Sequence, residues 1–192
     1  MQKLIFIDSC MREESRTKRI ATPIIAELSK RYEVERIALE GASYPAVDSK
    51  TLQDRNNGIV PEHFVDLAKK VAAADRIVIA APFWDMSFPA ILKLFIENLS
   101  LFGVTFNTDD KTCYGLCRCQ KLLYITTRGM NISPGDPLEQ ATPYLKALSF
   151  LWGLGEIVTI SAQNLDYSSP EEIGDKISLA IESGLNLCKD FK

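Results

Sequence analysis

Five short apolar runs, partly β-branched, recur along the chain: LIFI at 4–7, VERIAL at 34–39, IVIAA at 77–81, LLYIT at 122–126 and IVTIS at 157–161. Four of the five are almost continuously hydrophobic. That is the pattern of strands buried on both faces, as in a parallel sheet with helices on either side. Between the runs the period lengthens. Phe88, Ile91, Leu92, Phe95, Ile96 and Leu99 recur at i, i+3, i+4, i+7, i+8 and i+11, which predicts an amphipathic helix. The last helix is predicted to open at Ser169, with Pro170 at its first position, Glu172 three residues after the cap and an apolar face of Ile173, Ile177, Ala180 and Ile181. The helix before it has two candidate starts, Asp136 and Thr142, and Gly153 can end it. The first helix is the least clean, because Pro23 falls among Ile20, Ile24, Ile25 and Leu28. It is either a helix from about Ser15 that kinks at Pro23 or one capped by Thr22.

The order is therefore β-α, five times over. It predicts a single α/β domain spanning 1–192, a three-layer sandwich around a five-stranded parallel sheet with right-handed crossovers. Strand order 2-1-3-4-5 suits five such units and puts the switch point between the first and third strands. The stretches 41–61 and 103–120 carry no clear period, exceed the usual loop length and read as lids or interface segments.

Composition narrows the partners. Charged residues make up 24% of 192 with a formal net charge of −3, which gives no electrostatic argument for nucleic acid or an acidic membrane. No apolar run approaches the roughly 20 residues of a membrane span, and the first run is shorter than a signal-peptide core. A cytoplasmic protein is expected. Five cysteines cannot all pair. Cys113, Cys117 and Cys119 cluster, but no second ligand pair accompanies them and the one histidine, His63, lies elsewhere, so reduced thiols are expected rather than a metal site.

Ligands of open parallel sheets bind beyond the carboxyl ends of the strands, near the switch point. Three loops fall there: SCMREESRT (9–17), PFWDMS (82–87) and TRGMN (127–131). In the first, a helix start supplies free backbone N–H groups, Ser9, Ser15 and Thr17 supply hydroxyls and Arg16 a charge, a set that suits a phosphomonoester. It has neither a Gly-Lys-Ser/Thr loop nor a Gly-x-Gly-x-x-Gly turn. The second offers Phe83 and Trp84 to a planar ring. The third offers Gly129, which permits close backbone approach. A flavin mononucleotide has a phosphate and a flat ring of about that reach.

At this point a resemblance becomes plain. APFWDMSFPAILKLFIENLSLFGVTF (81–106) and ITTRGMNISPGDPLEQATPYL (125–145) resemble, in order, segments of the flavodoxin-like NAD(P)H quinone oxidoreductases. The likeness is greatest to the bacterial FMN-dependent NADH-azoreductases, and it extends over nearly the whole chain. It implies that Ser9, Ser15, Arg16 and Thr17 hold the FMN phosphate. It implies that Pro82, Phe83, Trp84, Asp85 and Met86 line the ring and ribityl chain, and that Thr127, Arg128, Gly129 and Met130 meet the isoalloxazine edge. It further implies a homodimer with shared active sites, and a ping-pong reaction in which NADH or NADPH reduces the flavin before a quinone or azo compound is reduced. No side chain is then an obligatory acid, and Arg128 and Tyr144 are candidates for orienting substrate. This sequence departs from the family pattern in Trp84 for tyrosine, Asp85 for asparagine and Met130 for a second glycine. The alternative is a non-enzymatic FMN electron carrier, but the Ser/Thr-x-Thr-Gly-x-Thr phosphate loop of flavodoxins is absent.

Overall fold

The computed structural model describes residues 1–191. Five parallel strands form the central sheet: β1 (Gln2–Asp8), β2 (Tyr32–Ala38), β3 (Arg76–Ala80), β6 (Lys121–Thr127) and β7 (Glu156–Ala162), in the order β2-β1-β3-β6-β7. Counted among the five predicted strands alone, that is 2-1-3-4-5. The sheet's three inner strands bury three of the four continuous apolar runs; the fourth, in β7, lies at an edge and is only half-buried, and β2, at the other edge, buries Tyr32 on one face of the sheet and Ile37 on the other.

Strand alternation builds the layers. Ile5, Ile7, Ile77, Ile79, Leu122 and Tyr124 point to one face of the sheet, where α3 (Glu62–Ala72), α4 (Ala90–Leu99) and α5 (Ala141–Trp152) cover them with Phe64, Phe95, Leu145 and Trp152. Leu4, Phe6, Val78, Ala80, Leu123 and Ile125 point to the other, under α1 (Arg16–Leu28) and α6 (Pro170–Asp190). There Gly184 lets α6 approach α1, since a Cβ on it would come within 2.2 Å of Ile24 Cδ1. Phe191 closes that layer, buried edge-on against Tyr32 at 6.5 Å between rings, with the Tyr32 hydroxyl donating to its carbonyl. Each fully buried Leu, Ile or Phe is worth about 1.5–3 kcal/mol of transfer free energy.

Local signals resolve the open starts. α1 begins at Arg16 with Ser15 as cap and runs through Pro23, where the missing N–H costs one helical bond. Thr22 donates its hydroxyl to Lys18 O at 2.8 Å and caps nothing. α5 begins at Ala141, not at Asp136, and Thr142 is already its second residue. Gly153, left-handed at φ 75°, ends it. α6 opens on a complete capping box between Ser169 and Glu172. The two stretches expected to be irregular are partly ordered: α2 (Ser49–Asn56) lies in the first and an antiparallel hairpin, β4 (Phe106–Thr108) with β5 (Cys113–Gly115), in the second. Three-residue strands are too short to show a period, and α2 buries no residue, so neither leaves an apolar signature.

All five cysteines are free, and no three His, Cys, Asp or Glu side chains gather as a metal site among the described residues. Burial pushes the Cys10 and Cys117 thiols up to about 12 and Cys119 up to about 11, from an ordinary 9.0. In the unfolded chain these groups ionise near their ordinary value, while the folded chain keeps its protons. Stability is therefore full below pH 9 and lost progressively as pH rises through the folded values. We expect the melting temperature to fall steadily between pH 9 and about 11.5, and a Cys10→Ala/Cys117→Ala/Cys119→Ala variant to flatten that decline. Burial raises Tyr124 as well, leaving a residual slope at the most alkaline end. An undiminished decline in the triple variant would remove the thiols as its source.

Candidate functional site

The sheet's hydrogen bonding continues past the strand ends and levels the loops above it. Ser9 N donates to Ala80 O at 2.8 Å, Ala81 N to Ile125 O at 3.0 Å and Phe83 N to Thr127 O at 3.0 Å. Because α1 leaves β1 for one face and α4 follows β3 on the other, a crevice opens between them. The cleft there has a volume of about 560 Å³ and is lined by Met11, Arg12, Glu14, Ser15, Arg16, Pro82, Phe83, Trp84, Thr127, Gly129 and Asp166. A larger depression of about 840 Å³ lies elsewhere, between α1 and α6, lined by helix-surface residues such as Glu27, Glu182 and Lys189 and away from the carboxyl ends of the strands.

At the first loop, Ser15 caps α1 by accepting from Lys18 N at 3.3 Å. The first-turn N–H groups of Arg16 and Thr17 have no intrahelical acceptor. Ser9 is fully buried just past the end of β1, and its hydroxyl finds no partner among the described residues. Thr17 is also fully buried, but its hydroxyl is shared with that of Thr127 at 2.7 Å, which ties α1 to β6. Arg16 Nη1 meets Asp166 Oδ1 at 2.9 Å.

The second loop is a tight turn. Trp84 and Ser87 exchange both backbone bonds, at 3.1 and 2.8 Å, around Asp85 at φ 47° and Met86 at φ 63°. Two successive left-handed residues make a type I′ turn, which glycine and asparagine favour and methionine does not. What holds it is Gln140 N, at the start of α5, donating to Met86 O at 2.8 Å. Trp84 stays 36% exposed at the rim, and the Arg12 guanidinium lies 5.8 Å from its ring centre.

The third loop differs most from what the sequence suggests. The Arg128 side chain is buried, 4.8 Å above the centre of the Phe83 ring. It donates to Ile132 O at 2.9 Å and lies 3.4 Å from Glu139 Oε1, both side chains being fully sealed from water. Burial lowers its pKa, the adjacent Glu139 carboxylate raises it again, and an arginine stays charged throughout. Glu139 also accepts from Thr142 N at 2.9 Å and Gly135 N at 3.2 Å, so it caps α5 in place of a residue at the cap position. Gly129 leaves room for Asp166 in its present position, since a Cβ there would lie 1.9 Å from Asp166 Oδ2.

The cleft thus gathers Ser15, Arg16, Pro82, Phe83, Trp84, Thr127 and Gly129. Ser9, Thr17, Asp85, Met86, Arg128 and Met130 stand in the same three loops without lining it. Tyr144 lies apart on α5, edge-on to Phe88 at 5.3 Å and with Lys93 Nζ 5.6 Å from its ring. Asp166 and Glu139 went unnoticed in the sequence. Asp166 follows the fifth strand and so lies at the same sheet edge, which is the signal that would have found it; Glu139, as an isolated acid in a polar loop, has none.

Residues 2–183 match the family described as having a flavodoxin-like fold. An FMN-dependent NADH:quinone oxidoreductase 2 from Clostridium acetobutylicum is 31% identical over a 201-residue alignment that covers all of both chains. A protein of the same name from Clostridium perfringens is 31% identical over 205 residues, again covering both entirely. Among solved structures, an azoreductase from Bacillus anthracis superposes with a TM-score of 0.80 at 20% identity, covering 100% of each chain. A Bacillus anthracis FMN-dependent NADH-azoreductase in complex with FMN superposes at 0.82 and 19%, covering 98% of this chain and 100% of that one.

Removing one partner of a sealed ion pair leaves the other charge uncompensated, at a cost of about 3–5 kcal/mol. Glu139→Ala should therefore lower stability by that order in urea unfolding. Arg128→Met combined with Glu139→Leu should recover most of it, since apolar replacement of both partners is often nearly neutral. A double variant no better than the single one would show that the carboxylate matters as a helix cap and not as a counter-charge.

Proposed function

The chain belongs to the flavodoxin-like-fold family, among FMN-dependent NADH:quinone oxidoreductases, and we propose that it binds FMN in the cleft above β1, β3 and β6 and catalyses two-electron ping-pong reduction of quinones, azo compounds or both. The observation that carries this reading is the convergence on one cleft of Ser15 and Arg16 at the start of α1 with Phe83, Trp84, Thr127 and Gly129. In the loop that leads into it, the Ser9 hydroxyl is buried and without a partner among the described residues, which fits an acceptor from outside the chain. The cleft's volume and the aromatic strip Phe83–Trp84 fit the rest of the cofactor. When bound, FMN supplies the chemistry of accepting a hydride from NADH or NADPH and passing two electrons to an acceptor.

The protein's part is placement. Ser9, Ser15, Arg16 and the first-turn amides of α1, that of Thr17 included, hold the phosphate. Pro82, Phe83 and Trp84 lie along the ring, with Asp85 and Met86 turning the chain beside it. Thr127 and Gly129 let the backbone approach its polar edge, with Arg128 behind Phe83 and Met130 at the margin. Tyr144 remains the proposed group for orienting the acceptor; burial raises its hydroxyl pKa, so it stays protonated at neutral pH. Trp84, Met86, Met130 and Leu138 are 36%, 39%, 41% and 58% exposed around these loops, an apolar margin of the kind a second subunit covers, and a homodimer that completes the site belongs to the proposal. So does a cytoplasmic location, in keeping with five unpaired thiols. No described helix is long and apolar enough to cross a membrane.

Protein mixed with FMN and desalted should retain flavin absorption bands, and anaerobic NADH or NADPH should bleach them. Retained bands that neither donor bleaches would favour an electron carrier. Ser9→Ala should weaken FMN binding by about tenfold or more, the worth of a hydrogen bond to a charged group, with little change in stability. Sedimentation at twice the chain mass of 21.5 kDa is expected; a monomer at working concentration would refute the shared site.

A further inference from the structure

Asp166 is hard to reconcile with a site for a phosphomonoester. It sits in the loop between β7 and α6, and its carboxylate lines the cleft beside Ser15, Arg16 and Gly129. It takes up the Arg16 guanidinium at 2.9 Å. Two arginines, Arg12 and Arg16, and two carboxylates, Glu14 and Asp166, line the cleft, so its formal charges cancel where an anion is to be bound.

The backbone beneath Asp166 is fixed. Asn164 N, Leu165 N and Asp166 N donate in succession to Met130 O at 2.9 Å, Arg128 O at 3.1 Å and Gly129 O at 3.1 Å. Leu165 is buried and anchors the turn, and Asn164 adopts φ 61° to make it. The missing Cβ of Gly129 gives the carboxylate its room. The side chain itself is 65% exposed, and the arginine 38%, so the pair is cheap to break. A fixed backbone with a free carboxylate aimed at the phosphate-binding arginine describes an internal competitor.

We propose that Asp166 is a built-in rival of the cofactor phosphate: its carboxylate occupies Arg16 in the free protein and has to release it when a phosphomonoester binds. The proposal rests on reading the cleft as the FMN site. The residue sets how tightly the phosphorylated flavin is held through Arg16, whereas whatever it does beside Gly129 at the ring's edge acts on phosphorylated and unphosphorylated flavin alike. A neutral side chain at this position removes both the competing contact and the repulsion between carboxylate and phosphate.

The test is a flavin-fluorescence titration of wild type, Asp166→Asn and Asp166→Ala with FMN and with riboflavin, which has the ring but no phosphate, at low ionic strength. Both variants should bind FMN about three- to tenfold more tightly relative to riboflavin, the scale of an exposed ion pair plus relieved repulsion. Weaker FMN binding in the variants would make Asp166 a positioning partner of Arg16 and overturn the proposal. Unchanged binding, or equal tightening for FMN and riboflavin, would overturn it as well. Wild type and variants that bind neither flavin would instead sink the cofactor reading, and the proposal with it.

Discussion

Arg128 reaches the interior with only the Glu139 carboxylate, the Ile132 carbonyl and the face of Phe83 to replace the water it has lost. Its Nε and Nη2 make no directional hydrogen bond among the described residues. Such a pair adds little net stability compared with apolar residues of the same size, yet neither half tolerates the other's absence. What it contributes is position. Glu139 can neutralise Arg128 from only one place, and from there it also caps α5 through Thr142. The next residue, Gln140, then holds the Asp85–Met86 turn through Met86 O. The aromatic loop after β3 and the glycine loop after β6 are thus one unit, referenced to a single buried charge.

That unit bears strain at its outer edge. Left-handed backbone at a non-glycine residue costs of order 1–3 kcal/mol, and here two such residues stand side by side. Aspartate relieves part of the cost, because short polar side chains tolerate this region; methionine does not. The backbone pair between Trp84 and Ser87, together with Gln140, supplies the compensation. Opposite this stiff wall, the Arg16–Asp166 pair is exposed and soft. The cleft has one side set by buried contacts and another governed by charges in water, and the two respond to different variables: packing mutations for the first, salt and substitution of charge for the second.

Much of this was legible from residue order. Continuous apolar runs gave the buried strands, and their alternation with helical stripes gave the parallel sheet, its order and its ligand-binding edge. Ser15, Ser169 and Gly153 work where capping chemistry places them. Of the two readings of the first helix, the start near Ser15 holds, and α1 tolerates Pro23 because Ile20, Ile24 and Leu28 are fully buried on one face and outweigh the lost bond. What the sequence left hidden has physical causes. The hairpin of β4 and β5 was invisible because three residues cannot display a period. The destination of Arg128 was invisible because an arginine next to a glycine reads as a surface turn, and only the fold brings Glu139 beneath it. The commitment of the Thr17 hydroxyl to Thr127, across 110 residues, is likewise a tertiary fact.

The closure of one core layer by Phe191 bears on how the chain is made. β1 and α1 are synthesised long before α6, and the apolar face they share is finished only by α6 and by the aromatic side chain at position 191, which meets Tyr32 across 159 residues. At about 5–20 residues per second on a ribosome, that face waits on the order of ten to thirty seconds uncovered. The opposite layer, served by α3 and α4, can assemble while elongation continues. Maturation of this domain is therefore vectorially lopsided, with its earliest strand and helix the last to be sheltered, and their early exposure is the interval in which a chaperone or a neighbouring nascent chain would find them.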